Sequence, residues 1–152
     1  QTAEGGWEGG PGWGVDSNTT ALAIQALRAV GVPSSAPSIQ LAINFLRAHQ
    51  ASTGGFFGAL AYGTEADANS TAYAIQGLLA AAEDPLGASW RVGGRGPLDD
   101  LLSFQLANGA LEWQEGEGAN LLATLQAIPA LTLRANPLRS EPAYVRLPFV
   151  RR

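Results

Sequence analysis

The chain has 152 residues, of which 46% are hydrophobic and 14% charged, and its net charge is −4. This balance predicts one folded domain, because a disordered chain combines few apolar residues with a high charge. The negative charge argues against a nucleic-acid partner; no apolar run reaches the roughly 18 residues of a membrane span; and the absence of cysteine excludes thiolate chemistry.

The first element along the chain is a turn pattern that occurs three times. It consists of a glutamine, three residues, a glycine, a small residue and a large apolar residue. Because glycine adopts positive φ without steric cost, the pattern predicts a tight turn. We expect the apolar residue at its end to brace successive repeats. The copies run from Gln1 to Trp7, from Gln50 to Phe56 and from Gln105 to Leu111.

Each turn pattern is followed by a segment with helical periodicity. Residues 16–27 and 67–78 are identical at eight of twelve positions, and a weaker third copy begins at Asn120, which we align with Asn18 and Asn69. We expect three inner helices. Asp16 or Asn18 is expected to cap the first helix, and the corresponding Asp or Asn is expected to cap the second.

Outer helices are predicted between these copies. Pro37 and Pro97 each suit the first turn of a helix that carries regularly spaced apolar residues. His49 is expected in the last turn of the first outer helix, and Asp99 and Asp100 are expected to complement the dipole of the second. The resulting order is turn, inner helix, outer helix. This all-α repeat is predicted to span residues 1–128, about three times over.

Residues 129–152 break the pattern. Their four prolines disfavour a long helix, so we expect an irregular, extended C-terminal tail from Pro129 onwards. One short strand is predicted near Tyr144 to Leu147.

Two of these motifs resemble known repeats. Gln1-x-x-x-Gly5-x-Trp7 is similar to the QW motif of squalene and oxidosqualene cyclases, and the pattern that starts at Asn18 and Asn69 resembles the inner-helix repeat of the prenyltransferase and squalene-cyclase group. The resemblance covers about residues 1–128 and implies an α/α toroid, of which three repeats would form an arc. The residues that carry the repeat are Gln1, Trp7, Asn18, Gln50, Phe56, Asn69, Gln105 and Asn120.

The catalytic residues that the resemblance would imply are missing. Cyclases of this kind use Asp-x-Asp-Asp, whereas Asp99-Asp100 lacks the first Asp. The prenyltransferase zinc site needs Cys and His, and this chain has only His49 and no Cys; thioester domains also need Cys. We therefore expect no catalytic residue, metal or cofactor in this chain. The expected function is a binding or scaffold module; the alternatives are a fragment of a cyclase-like or prenyltransferase-like enzyme and a structural subunit.

A ligand site is expected at the end of the arc where the inner helices begin. Aromatic and acidic residues there could bind a cation or a carbohydrate-like small molecule. The alternative is that the aromatics brace the repeats and the acids cap helices. The candidate residues are Trp13, Phe57, Tyr62, Trp113, Asp16, Asp67 and Glu117.

Two further expectations concern partners and location. Because the chain begins inside a turn motif, we expect its arc to associate with another chain or with a missing part of its own toroid. A start at glutamine is common among mature secreted proteins, so an extracellular or cell-surface protein of a bacterium is expected.

Overall fold

A computed structural model describes residues 1–135, and these residues form five α-helices. Two two-residue strands, β1 (Trp7–Glu8) and β2 (Val15–Asp16), pair antiparallel with Trp7 opposite Asp16. The prediction of a mainly α-helical fold is confirmed for this part of the chain; the small hairpin was not predicted. The helices are α1 (Ser17–Ala29), α2 (Pro37–Ala48), α3 (Ala68–Ala80), α4 (Pro97–Ser103) and α5 (Leu121–Leu131).

Helices α1, α3 and α5 begin in the same way. A side-chain oxygen of the preceding residue accepts a hydrogen bond from the backbone amide three positions later, which satisfies one of the free amides of the first turn. The caps are Asp16, Asp67 and Asn120, at 2.7, 2.8 and 2.9 Å from the amides of Thr19, Ser70 and Ala123. For α1 and α3 the sequence left an aspartate and an asparagine as alternative caps. The aspartate is the cap in both helices.

The predicted alignment of the third helix is wrong by two residues. Asn120 occupies the cap position that Asp16 and Asp67 occupy, whereas Asn18 and Asn69 lie inside their helices. Identical residue type misled the alignment, because Asn and Asp cap a helix equally well. With the caps superimposed, Pro129 of α5 stands where α3 has Gln76.

Helix α3 lies between α1 and α5, so these three helices form one row. Close approach in this row depends on small residues: a Cβ added at Gly77 of α3 would lie 2.9 Å from Cα of Ala21 in α1. Helix α2 packs beside α1, and α4 packs beside α3. The core is apolar on both sides of α3, with Ile24, Phe56, Leu78 and Trp90 in one cluster and Ile75, Leu101 and Leu111 in the other.

Helix α5 extends past the predicted start of the tail. It contains Pro129 and ends at Leu131. A proline this late in a helix removes one backbone hydrogen bond, and the burial of Ala127 and Ala130 against the core holds the last turn in place. The division predicted between residues 128 and 129 therefore falls within α5. The strand predicted near Tyr144 to Leu147 lies outside the described residues.

Candidate functional site

The three turn patterns form three corners with one hydrogen-bond scheme. Corner 1 is residues 1–7, corner 2 is residues 50–56 and corner 3 is residues 105–111. In each corner the glutamine Nε2 donates to the carbonyl of the glycine four residues later, at 2.9, 2.9 and 3.3 Å. The three glycines have φ of +95°, +95° and +86°, which a residue with a Cβ adopts only at a cost; they are Gly5, Gly54 and Gly109.

A threonine hydroxyl joins each corner to its inner helix. The backbone amide of the apolar residue that ends the corner donates to this hydroxyl at 2.9 or 3.0 Å. The threonine is always four residues after the helix cap, so the helix fixes the corner. The pairs are Trp7 with Thr20, Phe56 with Thr71, and Leu111 with Thr124.

Each corner is followed by a loop that leads to the N-terminus of an inner helix: loop A (residues 8–15), loop B (residues 57–66) and loop C (residues 112–119). Hydrogen bonds place the loops side by side. The Ser17 amide after loop A donates to the Gly58 carbonyl of loop B at 3.4 Å, and the Ala68 amide after loop B donates to the Trp113 carbonyl of loop C at 3.0 Å. The three loops therefore form one continuous surface, which we call the loop surface.

One large aromatic side chain is exposed on each loop. Trp13 of loop A is 77% exposed, Tyr62 of loop B is 90% exposed and Trp113 of loop C is 42% exposed. These three residues were predicted as ligand contacts, and all three are accessible. No ring contact joins them to one another within residues 1–135; they are presented on neighbouring loops rather than stacked.

Phe57 is not a surface contact, contrary to the prediction. Its ring is buried and lies 4.9 Å from the ring of His49, which stacks on Phe45 with 4.0 Å between ring centroids. The Nδ1 atom of His49 lies 3.0 Å from the Phe45 carbonyl oxygen. Burial lowers the pKa of His49, although the Phe45 carbonyl and the charges of Asp16 and Glu4 favour its protonated form. Phe57 therefore belongs to the packing beneath loop B.

The corners, the loops and the helix caps that follow them are together strongly acidic. The three stretches that contain the corners and loops, residues 1–16, 50–67 and 105–120, carry eight carboxylates and no arginine. Five arginines occur elsewhere in residues 1–135, at positions 28, 47, 91, 95 and 134. The negative charge of the described residues is thus concentrated where the inner helices begin.

Four of these eight carboxylates have structural roles. Asp16 and Asp67 cap α1 and α3 and also accept from the hydroxyls of Thr19 and Ser70. Glu8 accepts from the Gly12 amide at 3.0 Å, and Glu112 accepts from the amides of Gly116 and Gly118 at 2.9 and 3.3 Å. These contacts shape loops A and C. Asp16 and Asp67 were predicted as ligand contacts, with helix capping as the alternative role. In the structure both residues cap helices.

Asp67 is also the most buried of the acids predicted as ligand contacts. Burial raises the pKa of its carboxyl group, even though hydrogen bonds from Ser70, the side chain of Trp113 and the Asn69 amide favour the charged form. The exposed acids that bond to no other group among residues 1–135 are Glu4, Glu65, Glu115 and Glu117. Of the predicted acids, Glu117 is therefore the one available to a ligand.

Asp100 lies in the first turn of α4, as predicted, but its carboxyl group is buried. Its neighbour Asp99 behaves as a first-turn acid, because its Oδ2 accepts from the Gly96 amide at 2.9 Å and pairs with Arg91 at 3.3 Å. Asp100 instead turns inward over Gly55, and within the described residues its Oδ2 is buried without a hydrogen-bond partner. Burial raises the pKa of Asp100 against the influence of the Thr53 hydroxyl and the Arg95 charge.

Residues 1–135 contain neither a metal-binding cluster nor a membrane-spanning helix. No group of three or more His, Asp or Glu residues there is arranged to hold a metal ion. No helix in this part of the chain is long and apolar enough to cross a membrane. No protein-family model matches the sequence, and no curated protein is significantly similar to it.

Proposed function

We propose that this chain is a non-catalytic binding module whose loop surface binds a cationic ligand with an apolar body. The observation that carries the proposal is the coincidence of three exposed aromatic side chains with uncommitted carboxylates on adjoining loops. An aromatic face attracts a cation through its quadrupole, and the carboxylates add a long-range attraction that concentrates cations at the surface.

The architecture we propose for the module is an arc of an α/α toroid. The recurrence of the glutamine, threonine and cap hydrogen bonds in all three segments supports it, as does the resemblance to prenyltransferase and squalene-cyclase repeats. In such an arc the inner helices run parallel and all their N-termini lie at one end. That end would carry the loop surface.

The expected binding is weak and salt-dependent. Exposed cation–π contacts contribute about 0.5–1 kcal/mol each, and charges at a surface are screened within roughly 8 Å at physiological ionic strength. Two such contacts contribute about 1–2 kcal/mol, so a small cation that meets two of the aromatics is expected to bind with a dissociation constant of roughly 30–200 mM. A ligand that spans all three loops would bind more tightly.

The four tryptophans supply the readout for a test. In a two-dimensional ¹H–¹⁵N NMR titration with choline, the indole N–H signals of Trp13 and Trp113 should shift. The signal of Trp90 should not, because Trp90 is fully buried and its Nε1 donates to Glu83 at 3.1 Å. Glucose serves as the uncharged probe. Shifts with glucose and none with choline would contradict a cation site.

Variants then locate the binding. Trp13→Ala and Tyr62→Ala are each expected to weaken choline binding about two- to fivefold, which corresponds to one exposed cation–π contact. Val30→Ala is the control, because Val30 is exposed at the opposite end of α1. Equal affinities of all three variants and the parent would contradict the proposal.

A further inference from the structure

The face of α5 that is turned away from α3 is apolar and uncovered. Leu121, Leu125 and Ile128 lie on it, and they are 76%, 54% and 51% exposed. The opposite face of the same helix carries small residues that are buried against α3. Helix α5 thus has one packed face and one apolar face without a neighbour in residues 1–135.

The same helix positions are completely buried in the two preceding inner helices. Counted from the cap, Leu121, Leu125 and Ile128 stand at positions one, five and eight. Each of the six residues at these positions in α1 and α3 has no exposed surface; they are Ser17, Ala21, Ile24, Ala68, Ala72 and Ile75. These positions form what we call the forward face of an inner helix.

In this molecule a forward face is covered by the next segment along the chain. The forward face of α1 meets loop B, where the Ser17 amide and hydroxyl donate to the Gly58 and Phe57 carbonyls, and it meets α3, where Gly77 lies against Ala21. Loop C and α5 cover α3 likewise, with Ala68 bonded to Trp113. No described segment follows α5 in this way.

The face that covers a forward face also has a constant pattern. At positions three, seven and ten from the cap, α3 and α5 carry small buried residues: Ser70, Ala74 and Gly77 in α3, and Ala123, Ala127 and Ala130 in α5. Helix α1 also carries small residues at these positions, namely Thr19, Ala23 and Ala26. Unlike its counterparts in α3 and α5, Ala26 is exposed. This rear face of α1 has no inner helix against it within residues 1–135.

We infer that the forward face of α5 binds the rear face of α1 from a second copy of this chain. The contact repeats, between two molecules, the packing that α3 makes on α1 and that α5 makes on α3. Loop A of the second copy then adjoins loop C of the first. Within one chain, the amide at position one of α1 or α3 donates to the carbonyl two residues after the next corner, which is that of Gly58 or Trp113. By the same rule, the Leu121 amide of the first copy donates to the Gly9 carbonyl of the second, because Gly9 lies two residues after Trp7. The inference rests on the proposed repeat architecture.

Such an interface is head-to-tail, because each copy contributes a different surface. Head-to-tail contacts produce rings when the rotation closes and open chains when it does not. They also extend the loop surface from one copy to the next. The fraction of associated protein should therefore rise with protein concentration. It should not change with substitutions far from α1 and α5.

The first test measures the mass of the full chain in solution. Sedimentation velocity between micromolar and hundreds of micromolar protein should show species larger than the 15.7 kDa monomer, in amounts that rise with concentration. A single monomeric species over the whole range would overturn the inference.

Two variants identify the surfaces. Leu125→Glu places a charge on the forward face and Ala26→Glu places one on the rear face; both positions are exposed in the single chain, so both variants should fold, as circular dichroism can check. Each variant alone should be monomeric, and an equimolar mixture should form a dimer and nothing larger. Leu86→Glu, an exposed apolar position elsewhere, should associate like the parent. A monomeric mixture, or association of either variant alone, would overturn the inference.

Deletion of residues 136–152 tests a different occupant. If a second copy covers α5, the shortened chain should associate as the full chain does. If the full chain is monomeric and the deletion associates, this chain's own last residues cover α5 and the inference is wrong. These measurements do not depend on the loop surface, so they can fail while the choline titration succeeds, and the reverse.

Discussion

Corners 2 and 3 share one hydrogen-bond scheme and differ in what lies over them. Gln50 of corner 2 donates a second hydrogen bond to the Trp90 carbonyl at 2.8 Å, and the Phe56 ring lies 6.0 Å from the Trp90 ring. Gln105 of corner 3 donates to Gly109 at 3.3 Å, and within residues 1–135 no later segment covers it. The corner therefore forms without a cover, and we expect the cover to decide how much each residue in it stabilises the fold.

The small residues of the two corners show the same difference. A Cβ added at Gly55 would lie 1.8 Å from Asp100 Oδ2, whereas corner 3 carries Ala110 at the equivalent position. The backbone requires the glycine at the fourth position after the glutamine in both corners, because its φ is positive. The next residue needs to be glycine only where an outer segment packs on it.

The largest predicted difference between the corners is at that fourth position. Gly54→Ala should destabilise the protein by about 2–4 kcal/mol, because positive φ and overpacking each cost about 1–2 kcal/mol; the added Cβ would lie 2.5 Å from the Arg95 carbonyl oxygen. Gly109→Ala has open space around its Cβ, so only the φ cost of about 1 kcal/mol applies. Urea unfolding of both variants measures this, and equal losses would contradict the comparison.

A smaller difference is expected where the threonines join corner and helix. Thr71→Val leaves the amide of the fully buried Phe56 without its acceptor, and an unsatisfied buried amide costs about 1–3 kcal/mol. Thr124→Val removes the acceptor of the Leu111 amide; Leu111 is itself 2% exposed, but Thr124 is only half-buried. Water can therefore partly replace the acceptor, and the expected loss is smaller, about 1 kcal/mol. A loss for Thr124→Val as large as that for Thr71→Val would show that the cover does not matter.

The buried carboxyl group over corner 2 should make stability depend on pH. Because burial raises the pKa of Asp100, the folded state binds this proton more tightly than the unfolded chain does. At pH values below the pKa of Asp100 in the unfolded chain, about 3.9, the carboxyl group is protonated in both states and its burial costs no stability. The cost grows as pH rises through the pKa of Asp100 in the folded state. Asp100→Asn should therefore raise the free energy of unfolding at pH 7, by about 1 kcal/mol, with little effect at pH 3.

The adjacent residue provides the control for this prediction. Asp99 is exposed and its carboxylate bonds to the Gly96 amide and to Arg91, so Asp99→Asn should lower stability slightly at pH 7. Chemical unfolding of both variants at pH 3, 5 and 7 separates the two acids. A destabilised Asp100→Asn protein at pH 7 would show that the charged form is favoured in the fold.

The elements that local chemistry dictates could be predicted from the sequence. The corner glycines, the helix caps Asp16 and Asp67, and the outer helices that begin at Pro37 and Pro97 all follow from short-range rules on φ and hydrogen bonding. Features that depend on distant residues could not. Asp100 is buried because its helix lies over Gly55, and Phe57 is buried against His49, the residue that directly follows α2; neither contact has a signal in the adjacent sequence.

The candidate site divides in the same way. Trp13, Tyr62 and Trp113 lie outside the corner motif and are exposed as predicted, but position outside the motif does not by itself predict exposure, because Phe57 also lies outside it and is buried. The sequence could not predict which carboxylates form hydrogen bonds within their own loops. Glu8 and Glu112 accept from amides four residues later, and the positions of those amides depend on the loop conformation. The misaligned Asn120 had the same origin: a cap is defined by its hydrogen bond rather than by its residue type.

The smallest predicted effect concerns the ends of the inner helices. The residue that closes α1 is Gly31 with φ of +92°, whereas Ala82 after α3 and Leu133 after α5 hold φ of +64° and +52° with a Cβ present. Ala82→Gly removes a strain of about 1–2 kcal/mol and adds unfolded-state entropy worth about 0.5–1 kcal/mol, so stability should rise by roughly 0.5 kcal/mol. Ala81→Gly, one residue earlier with helical φ of −72°, should lower stability, since the entropy cost applies there without any relief of strain and a buried core methyl group is lost as well. If Ala82 is strained, thermal unfolding should show a higher melting temperature for Ala82→Gly and a lower one for Ala81→Gly. The turn after α3 is a Schellman turn, closed by a hydrogen bond from the Glu83 amide to the Leu78 carbonyl at 2.9 Å. Melting temperatures that shift in the same direction would mean that this turn accommodates Ala82 without cost.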